Sequence, residues 1–351
     1  VAGRLGHDQI RHLQKRIGEG GKLGRLDVGG TDFIILFCRG IGLDDTQSGA
    51  GTGEGAPPKF ISLATGGTGG TYYVIGGGMG KVIEKYIPGV KISVESTAAS
   101  TENCRLVASQ KVQFAIVMPD SAYFAYKGGR EFGEKKYPEI RALMAGHTSI
   151  MHFIVKANSG IKSLADLKGK RVALAAPGSP SAFIAEAALE AYGLPKKDYK
   201  PKLLTYAEQA DALRDDTIDM ACVFAGVPAS AALDISSTHN VIILGLGPQE
   251  IKKVTTKHPY WTEGIIKEGT YKGQNAKAVT LASPAMLITH ADVEADLVYA
   301  VAKALTEHTP ELKEVHPQGA EWNLEHATEG VAIPFHPGAE KFLKEKGIIK
   351  K

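Results

Sequence analysis

Short apolar segments alternate with longer stretches whose apolar residues recur every three or four positions. The short segments predict strands at residues 60–65, 90–95, 112–117, 171–175, 219–224, 241–246 and 279–289, with two more near 141–145 and 151–156. The longer stretches predict helices at residues 72–86, 101–109, 121–128, 181–192, 207–214, 228–236 and 292–309. Strands that alternate with helices of this length are typical of parallel α/β sheets.

These elements are too numerous for one compact sheet, so we predict an α/β fold with two lobes. Each lobe is expected to be a mostly parallel sheet flanked by helices, with a ligand cleft between the lobes. We assign residues 57–150 and 265–351 to lobe 1 and residues 151–264 to lobe 2. The length of 351 residues agrees with this division, because domains commonly hold about 100–200 residues.

Residues 1–56 differ in composition from the rest of the chain, because they hold 14 of its 41 glycines. A sequence rich in Gly, Ser and Thr then leads to Pro57 and Pro58, which is typical of a linker. The apolar run from Phe33 to Cys38 is too short for the core of a secretory signal. We therefore expect an atypical, disordered leader here, and an export or regulatory segment is the alternative.

Composition and motifs exclude several classes of protein. The net charge of +3 arises from interspersed signs without a basic stripe, which disfavours nucleic-acid binding. The three cysteines, Cys38, Cys104 and Cys222, cannot build a disulfide scaffold, and no apolar run is long enough to span a membrane. The common zinc-protease, Cys-x-x-Cys and nucleophile-elbow motifs are absent from the sequence. We therefore expect no metal, no cofactor and no enzymatic activity.

Three loops that lead from a strand to a helix are candidate binding segments, at residues 66–73, 96–103 and 175–182. Glycines let the backbone approach a ligand closely, and free amides at a helix start attract anions. The alternative for each loop is a tight turn in which a hydroxyl side chain caps the helix. In the second loop Asn103 is a candidate for a directional contact, whereas Asp120, after the next strand, could cap a helix or bind an ammonium group.

Several segments resemble known receptor families. The sequence SGIKSLADLKGKRV at residues 159–172 resembles a signature of periplasmic solute-binding proteins. Other segments resemble the TAXI receptors of tripartite ATP-independent periplasmic (TRAP) transporters, at residues 66–73, 100–105, 175–181, 224–228, 269–271 and 334–339. The resemblance extends from about residue 58 to the C-terminus.

The resemblance implies a type II periplasmic-binding-protein fold that closes around one small solute. It also implies a monomeric, periplasmic receptor that delivers the solute to a TRAP permease. Family members bind small carboxylates, including dicarboxylates and glutamate- or glutamine-like amino acids. By position, the resemblance implies ten ligand contacts, namely Gly70, Thr71, Tyr72, Ser100, Asn103, Gly178, Ser179, Ser181, Ala225 and Gly226.

Two other functions are possible on the same two-lobed fold. The first is a dehydratase or transferase, for which Asp120 and Glu95 are the candidate acid and base because both lie near the carboxyl end of a strand. The second is a sensor module that binds the same solute and contacts a signalling partner.

Overall fold

The computed structural model describes residues 26–28, 31–33, 59–176 and 179–350. The chain divides into two compact units, Val1–Glu54 and Gly55–Lys351. Within the first unit, strands β1 (Leu26–Val28) and β2 (Thr31–Phe33) pair antiparallel. The rest of the predicted leader, with Cys38, lies outside the described residues.

The larger unit consists of a mixed sheet covered by helices. Its described strands are β3 (Lys59–Ala64), β4 (Val90–Glu95), β5 (Phe114–Val117), β6 (Ile140–Lys156), β7 (Arg171–Leu174), β8 (Lys200–Leu203), β9 (Met220–Ala225), β10 (Val241–Leu244), β11 (Thr262–Ile266) and β12 (Ala278–His290). Its described helices are α1 (Thr71–Tyr86), α2 (Ser100–Ala108), α3 (Pro119–Lys127), α4 (Pro180–Ala191), α5 (Tyr206–Arg214), α6 (Ser230–Thr238), α7 (Pro248–Lys257), α8 (Ala295–Glu307), α9 (Thr309–Val315) and α10 (Pro337–Glu345).

Two groups of parallel strands occupy opposite ends of the sheet. In the described residues the strand order is β4-β3-β5-β12-β6-β9-β7-β8, while β10 pairs with β6 and β11 with β12. Strands β3, β4 and β5 run parallel and form what we call the first half, and β7, β8 and β9 run parallel and form the second half. The long strands β6 and β12 join the halves, pairing antiparallel from Ile140 opposite His290 to Ile150 opposite Ala282.

This arrangement confirms the predicted α/β class with a cleft between two lobes. It differs from the prediction in one respect, because the halves share one continuous sheet where a separate sheet in each lobe was expected. The boundaries given for the lobes remain a prediction.

Strand β6 shows why the sheet is continuous. The sequence predicts two strands with a break between residues 145 and 151, but one strand of 17 residues passes through this region. The amide of Thr148 donates to Glu321 at 2.8 Å, and its carbonyl accepts from Gln318 at 2.9 Å. Gly146 leaves room for Trp322, since a Cβ at Gly146 would lie 2.3 Å from the indole ring. Side chains from residues 318–322 thus support the extended backbone where the sequence pattern indicates a break.

Helix α1 illustrates how packing directs helix starts toward the carboxyl ends of the strands. Ile75, Met79 and Ile83 recur at four-residue spacing, are buried, and belong to one apolar core with Phe114 of β5. Because α1 follows β3 after a short glycine-rich loop, its first residue, Thr71, lies at the carboxyl end of the strand. The same order of strand, short loop and helix recurs in both halves.

Candidate functional site

A cleft lies between the two halves at the carboxyl ends of their parallel strands. It encloses about 580 Å³ of empty space, a figure that includes its open mouth. The first half lines it with residues 66, 67, 70–72, 97–100 and 118. The second half lines it with residues 175, 176, 179–181, 205, 206, 224 and 225. The halves therefore both contribute strand-to-helix loops to a single site.

In the described part of the chain, five helices begin at this cleft, namely α1 to α5. The N-cap residues of α1, α2 and α3 are Gly70, Ala99 and Met118, and none of them supplies a side-chain cap. The first amides of a helix have no partner within the helix, and the helix dipole makes this end partially positive. Pro119 leaves the first residue of α3 without an amide hydrogen, so α1 and α2 are the helices of the first half that can offer backbone donors to an anion.

The second half differs, because its own side chains cap both of its helices at the cleft. The Ser179 hydroxyl accepts from the amide of Ser181 at the start of α4, and Thr205 forms a capping box with Glu208 at the start of α5. Pro180 has no amide hydrogen to offer. The stronger anion-binding capacity thus lies in the first half, although the sequence suggests equal contributions from both.

Tyr206 is a cleft residue that is absent from the ten contacts predicted from the sequence. Its hydroxyl lies 2.8 Å from the Ser181 hydroxyl and donates to the carbonyl of Phe224 at 3.0 Å. A Cβ on Gly70 would lie 3.3 Å from the Tyr206 ring, so this ring packs over the backbone of the opposite half. Burial raises the pKa of Tyr206 to about 12, which keeps its hydroxyl protonated.

Among the described residues, two hydrogen bonds join the halves across the cleft. The Thr71 hydroxyl donates to the carbonyl of Gly226 at 3.4 Å. The amide of Ala231 donates to the carbonyl of Gly69 at 3.1 Å. The cleft is therefore closed in this structure, and opening it would break both bonds.

Seven of the ten predicted contact residues line the cleft, namely Gly70, Thr71, Tyr72, Ser100, Ser179, Ser181 and Ala225. Asn103 and Gly226 do not line it, and Gly178 lies outside the described residues. Gly226 instead accepts the bond from Thr71. Direct contact of these residues with a solute remains a prediction.

Asn103 has a structural role that explains its position. Its amide nitrogen donates to the carbonyls of Thr65 and Ile116 at 2.6 and 2.7 Å, and its side-chain oxygen accepts from Thr97 at 2.7 Å. The buried side chain therefore links the ends of β3 and β5 to the loop before α2. It supports the wall of the cleft without reaching into it.

Asp120 is held away from the cleft by an ion pair. Its carboxylate accepts from Arg130 at 2.5 Å, and the Arg130 guanidinium lies 4.6 and 5.1 Å from the ring centres of Phe124 and Phe183. Burial raises the pKa of Asp120, while the nearby Arg130 acts in the opposite direction. Neither Asp120 nor Glu95 lines the cleft, so the acid and base proposed for an enzyme do not meet there.

The described lining of the cleft exposes more apolar than polar surface and carries no charged side chain. Its functional groups are backbone amides and carbonyls and the hydroxyls of Ser, Thr and Tyr. The thiols of Cys104 and Cys222 lie in the cores, where burial raises the pKa of each above its usual value. Among the described residues no cluster of His, Cys, Asp or Glu could hold a metal ion. Within the same residues no helix has both the length and the apolar character needed to cross a membrane.

Most of the chain matches the sequence model of a known protein family. The sequence model described as "NMT1-like family" matches residues 63–347. The chain belongs to the NMT1-like family. The match to the NMT1-like family includes every described residue that lines the cleft.

The NMT1-like chain is also similar to solved bacterial structures. One is the periplasmic aliphatic sulphonate binding protein SsuA from Escherichia coli, with 18% identity and a TM-score of 0.44 over 82% of this chain and 79% of that one. Another is the alkanesulfonate-binding protein SsuA from Xanthomonas axonopodis pv. citri, with 16% identity and a TM-score of 0.47 over 82% and 84%. A third is a putative L-cystine ABC transporter protein from Listeria monocytogenes, with 16% identity and a TM-score of 0.44 over 76% and 98%. The ligands in these names are those of the proteins compared.

Proposed function

We propose that the protein is a periplasmic receptor, working as a monomer, that captures a small carboxylate by closing its cleft and delivers it to a TRAP permease. The solute is an acidic amino acid or a dicarboxylate. The observation that carries this proposal is the convergence of α1 and α2 on the cleft without side-chain caps. Such helix ends stabilise a bound anion by about 0.3–2 kcal/mol each.

The chemistry of the lining supports binding over catalysis. Enzymes of the dehydratase or transferase type need a group in the cleft that takes up or gives a proton near neutral pH. The described lining offers hydroxyls and amides, and the pKa of Tyr206, about 12, is far from this range. Fixed hydrogen-bond donors around a small closed space are suited to holding a solute.

The TRAP assignment is supported by the positions of the segments that resemble TAXI receptors. Residues 66–73 and 175–181 contribute to opposite walls of the cleft, and residues 224–228 reach it from the end of β9. Delivery is tested with proteoliposomes that contain candidate TRAP membrane subunits. Uptake that requires this protein and an ion gradient supports the assignment, whereas uptake that requires ATP contradicts it.

Binding is tested on the full chain by calorimetric titration with glutarate, L-glutamate, butyrate and lysine. We expect the acids to bind and lysine, which carries an additional positive charge, not to bind. A protein that binds none of the three acids would contradict the proposed function. Size-exclusion chromatography with light scattering tests the monomeric state.

A closure variant shows whether binding occurs in the cleft. In Gly226→Ala the new Cβ would lie 2.0 Å from the Gln318 side-chain oxygen and 2.9 Å from Thr71, so the closed arrangement is disfavoured. Gly77→Ala is the matched control, because a Cβ there meets nothing within 4 Å. We expect weaker acid binding in Gly226→Ala and unchanged binding in Gly77→Ala. Equal affinities in the two variants would place the binding site elsewhere.

A further inference from the structure

Tyr72, His147 and Ser149 form a buried polar group beside the cleft, which we call the donor cluster. The Tyr72 ring lines the cleft and meets the His147 ring edge to face, with ring centres 5.6 Å apart. Tyr72 is 9% exposed, whereas His147 and Ser149 are 0% exposed and lie behind it without lining the cleft themselves. Within the described residues, the Tyr72 hydroxyl, the Ser149 hydroxyl and His147 Nε2 have no hydrogen-bond partner.

The hydrogen bond to Trp322 fixes which nitrogen of His147 carries the hydrogen. Trp322 Nε1 can only donate, and it donates to His147 Nδ1 at 3.0 Å. The neutral ring therefore carries its hydrogen on Nε2, the nitrogen without a partner. Burial lowers the pKa of His147 to about 3, so the ring stays neutral at physiological pH.

Another buried histidine shows that burial alone does not leave such a donor free. His152 lies on the same strand, β6, and is also fully buried. Its Nδ1 lies 2.8 Å from the carbonyl of Ile150, and its Nε2 lies 2.9 Å from the Tyr271 hydroxyl. Both nitrogens of His152 are thus paired, whereas His147 has one nitrogen left over.

Buried polar groups without a hydrogen-bond partner are unfavourable, and folded proteins leave few of them. The hydroxyls of Tyr72 and Ser149 can donate or accept, whereas His147 Nε2 can only donate. Three such groups together, next to a cleft wall, indicate that an acceptor enters from the cleft. Carboxylate and carbonyl oxygens match this set, because each oxygen accepts more than one hydrogen bond.

We propose that the donor cluster binds a second acceptor group of the solute, a carboxylate or keto oxygen, while the first carboxylate lies at the starts of α1 and α2. The proposal rests on the proposed carboxylate-receptor function and narrows its solute to dicarboxylates and oxo acids without an amino group. An ammonium group would meet no charged side chain in the described lining. Asp120 lies outside the lining, where its Oδ2 accepts from Arg130 and its Oδ1 has no hydrogen-bond partner among the described residues.

The test compares glutarate, L-glutamate and butyrate by calorimetric titration of the full chain. Glutarate has two carboxylates, L-glutamate adds an amino group to the same skeleton, and butyrate has one carboxylate. We expect glutarate to bind at least about tenfold more tightly than either of the others, as expected for about one added buried hydrogen bond to a charged group. Tyr72→Phe and Ser149→Ala should each remove most of this advantage, so that the ratio of glutarate affinity to butyrate affinity falls toward one. The control is Tyr199→Phe, a buried tyrosine outside the cleft lining.

The possible outcomes distinguish a failure of the donor-cluster proposal from a failure of the proposed receptor function. If glutarate and butyrate bind equally, or if Tyr72→Phe weakens both by the same factor, the donor cluster does not bind the solute and the receptor function still stands. Tighter binding of L-glutamate than of glutarate would also overturn the proposal. If none of the three acids binds, the receptor function fails and the donor cluster assignment fails with it.

Discussion

Acidification from pH 8 to pH 5 should destabilise the fold through its two fully buried histidines on β6. Burial lowers the pKa of His147 to about 3 and that of His152 to about 4, against an ordinary value of 6.5. Below pH 6.5 the unfolded chain binds a proton at each site, while the folded chain binds none until near pH 4. Stability is therefore complete above pH 6.5 and is lost as the pH falls toward the folded-state pKa values.

The size of the loss follows from the pKa values. Each proton that only the unfolded state binds lowers the free energy of unfolding by about 1.36 kcal/mol per pH unit below 6.5. Between pH 8 and pH 5 each histidine should therefore remove about 2 kcal/mol from the free energy of unfolding, and the pair about 4 kcal/mol. Burial also lowers the pKa of His258 and His336, which adds to the slope of the unaltered protein.

Single variants isolate each contribution. Urea unfolding, followed by circular dichroism at half-unit pH steps, gives the free energy of unfolding of His147→Gln, His152→Gln and the unaltered protein. Each variant should lose about 2 kcal/mol less than the unaltered protein over this range, whatever its stability at pH 8. His239→Gln, at a partly exposed position, is the control and should keep the full loss. A loss in His147→Gln or His152→Gln equal to that of the unaltered protein would refute the reasoning.

Three further substitutions test the supports of the cleft by urea unfolding. Gly146→Ala places a Cβ 2.3 Å from the Trp322 ring and should cost about 1–3 kcal/mol or more. Asn103→Leu leaves two carbonyls without their donor and should cost about 1–3 kcal/mol for each. Arg130→Met leaves the Asp120 carboxylate buried and unpaired, which should cost about 3–5 kcal/mol at pH 8.

Each of these variants has an informative comparison. Gly77→Ala adds the same methyl group in open space and should not destabilise. Asn103→Asp keeps the size of the side chain but removes its donors, so stability close to that of the unaltered protein would contradict the bonding described. Adding Asp120→Asn to Arg130→Met should recover part of the loss; no recovery would show that the unpaired carboxylate is not its cause.

The sequence pattern predicts the first half of the sheet well, because its strands and helices have clear periodicity. Helix α1 was expected at residues 72–86 and is observed at Thr71–Tyr86, and strand β4 was expected at its observed limits, Val90–Glu95. Loops between such elements can be located from the sequence. The position of Gly70, Thr71 and Tyr72 at the cleft could therefore be predicted. Local information is enough for these positions.

The second half was harder to predict because of its edge strand β8. All four of its residues, Lys200–Leu203, are exposed, and Pro201 lies among them, so neither apolar alternation nor β propensity indicates a strand. Without β8, nothing suggested that Thr205 and Tyr206 follow the carboxyl end of a strand. The only available signal was Thr205 with Glu208 three residues later, a capping-box pattern that indicates a helix start.

Contacts between residues far apart in the sequence bury His147 and Ser149 beside Tyr72, and no local sequence pattern can predict such contacts. His147 and Ser149 lie in a stretch of β6 whose pattern indicates a break, and they become buried beside Tyr72 only because residues 318–322 support that stretch. Gln318 is central, since its side chain donates to the carbonyl of Thr148 at 2.9 Å and accepts from the amide of Val227, after β9, at 2.6 Å. The backbone that carries the donor cluster is therefore tied by one side chain to the second half of the sheet. A solute held at the donor cluster and at the start of α1 would lie beside both this connection and the bond from Thr71 to Gly226, so its binding would favour the closed cleft.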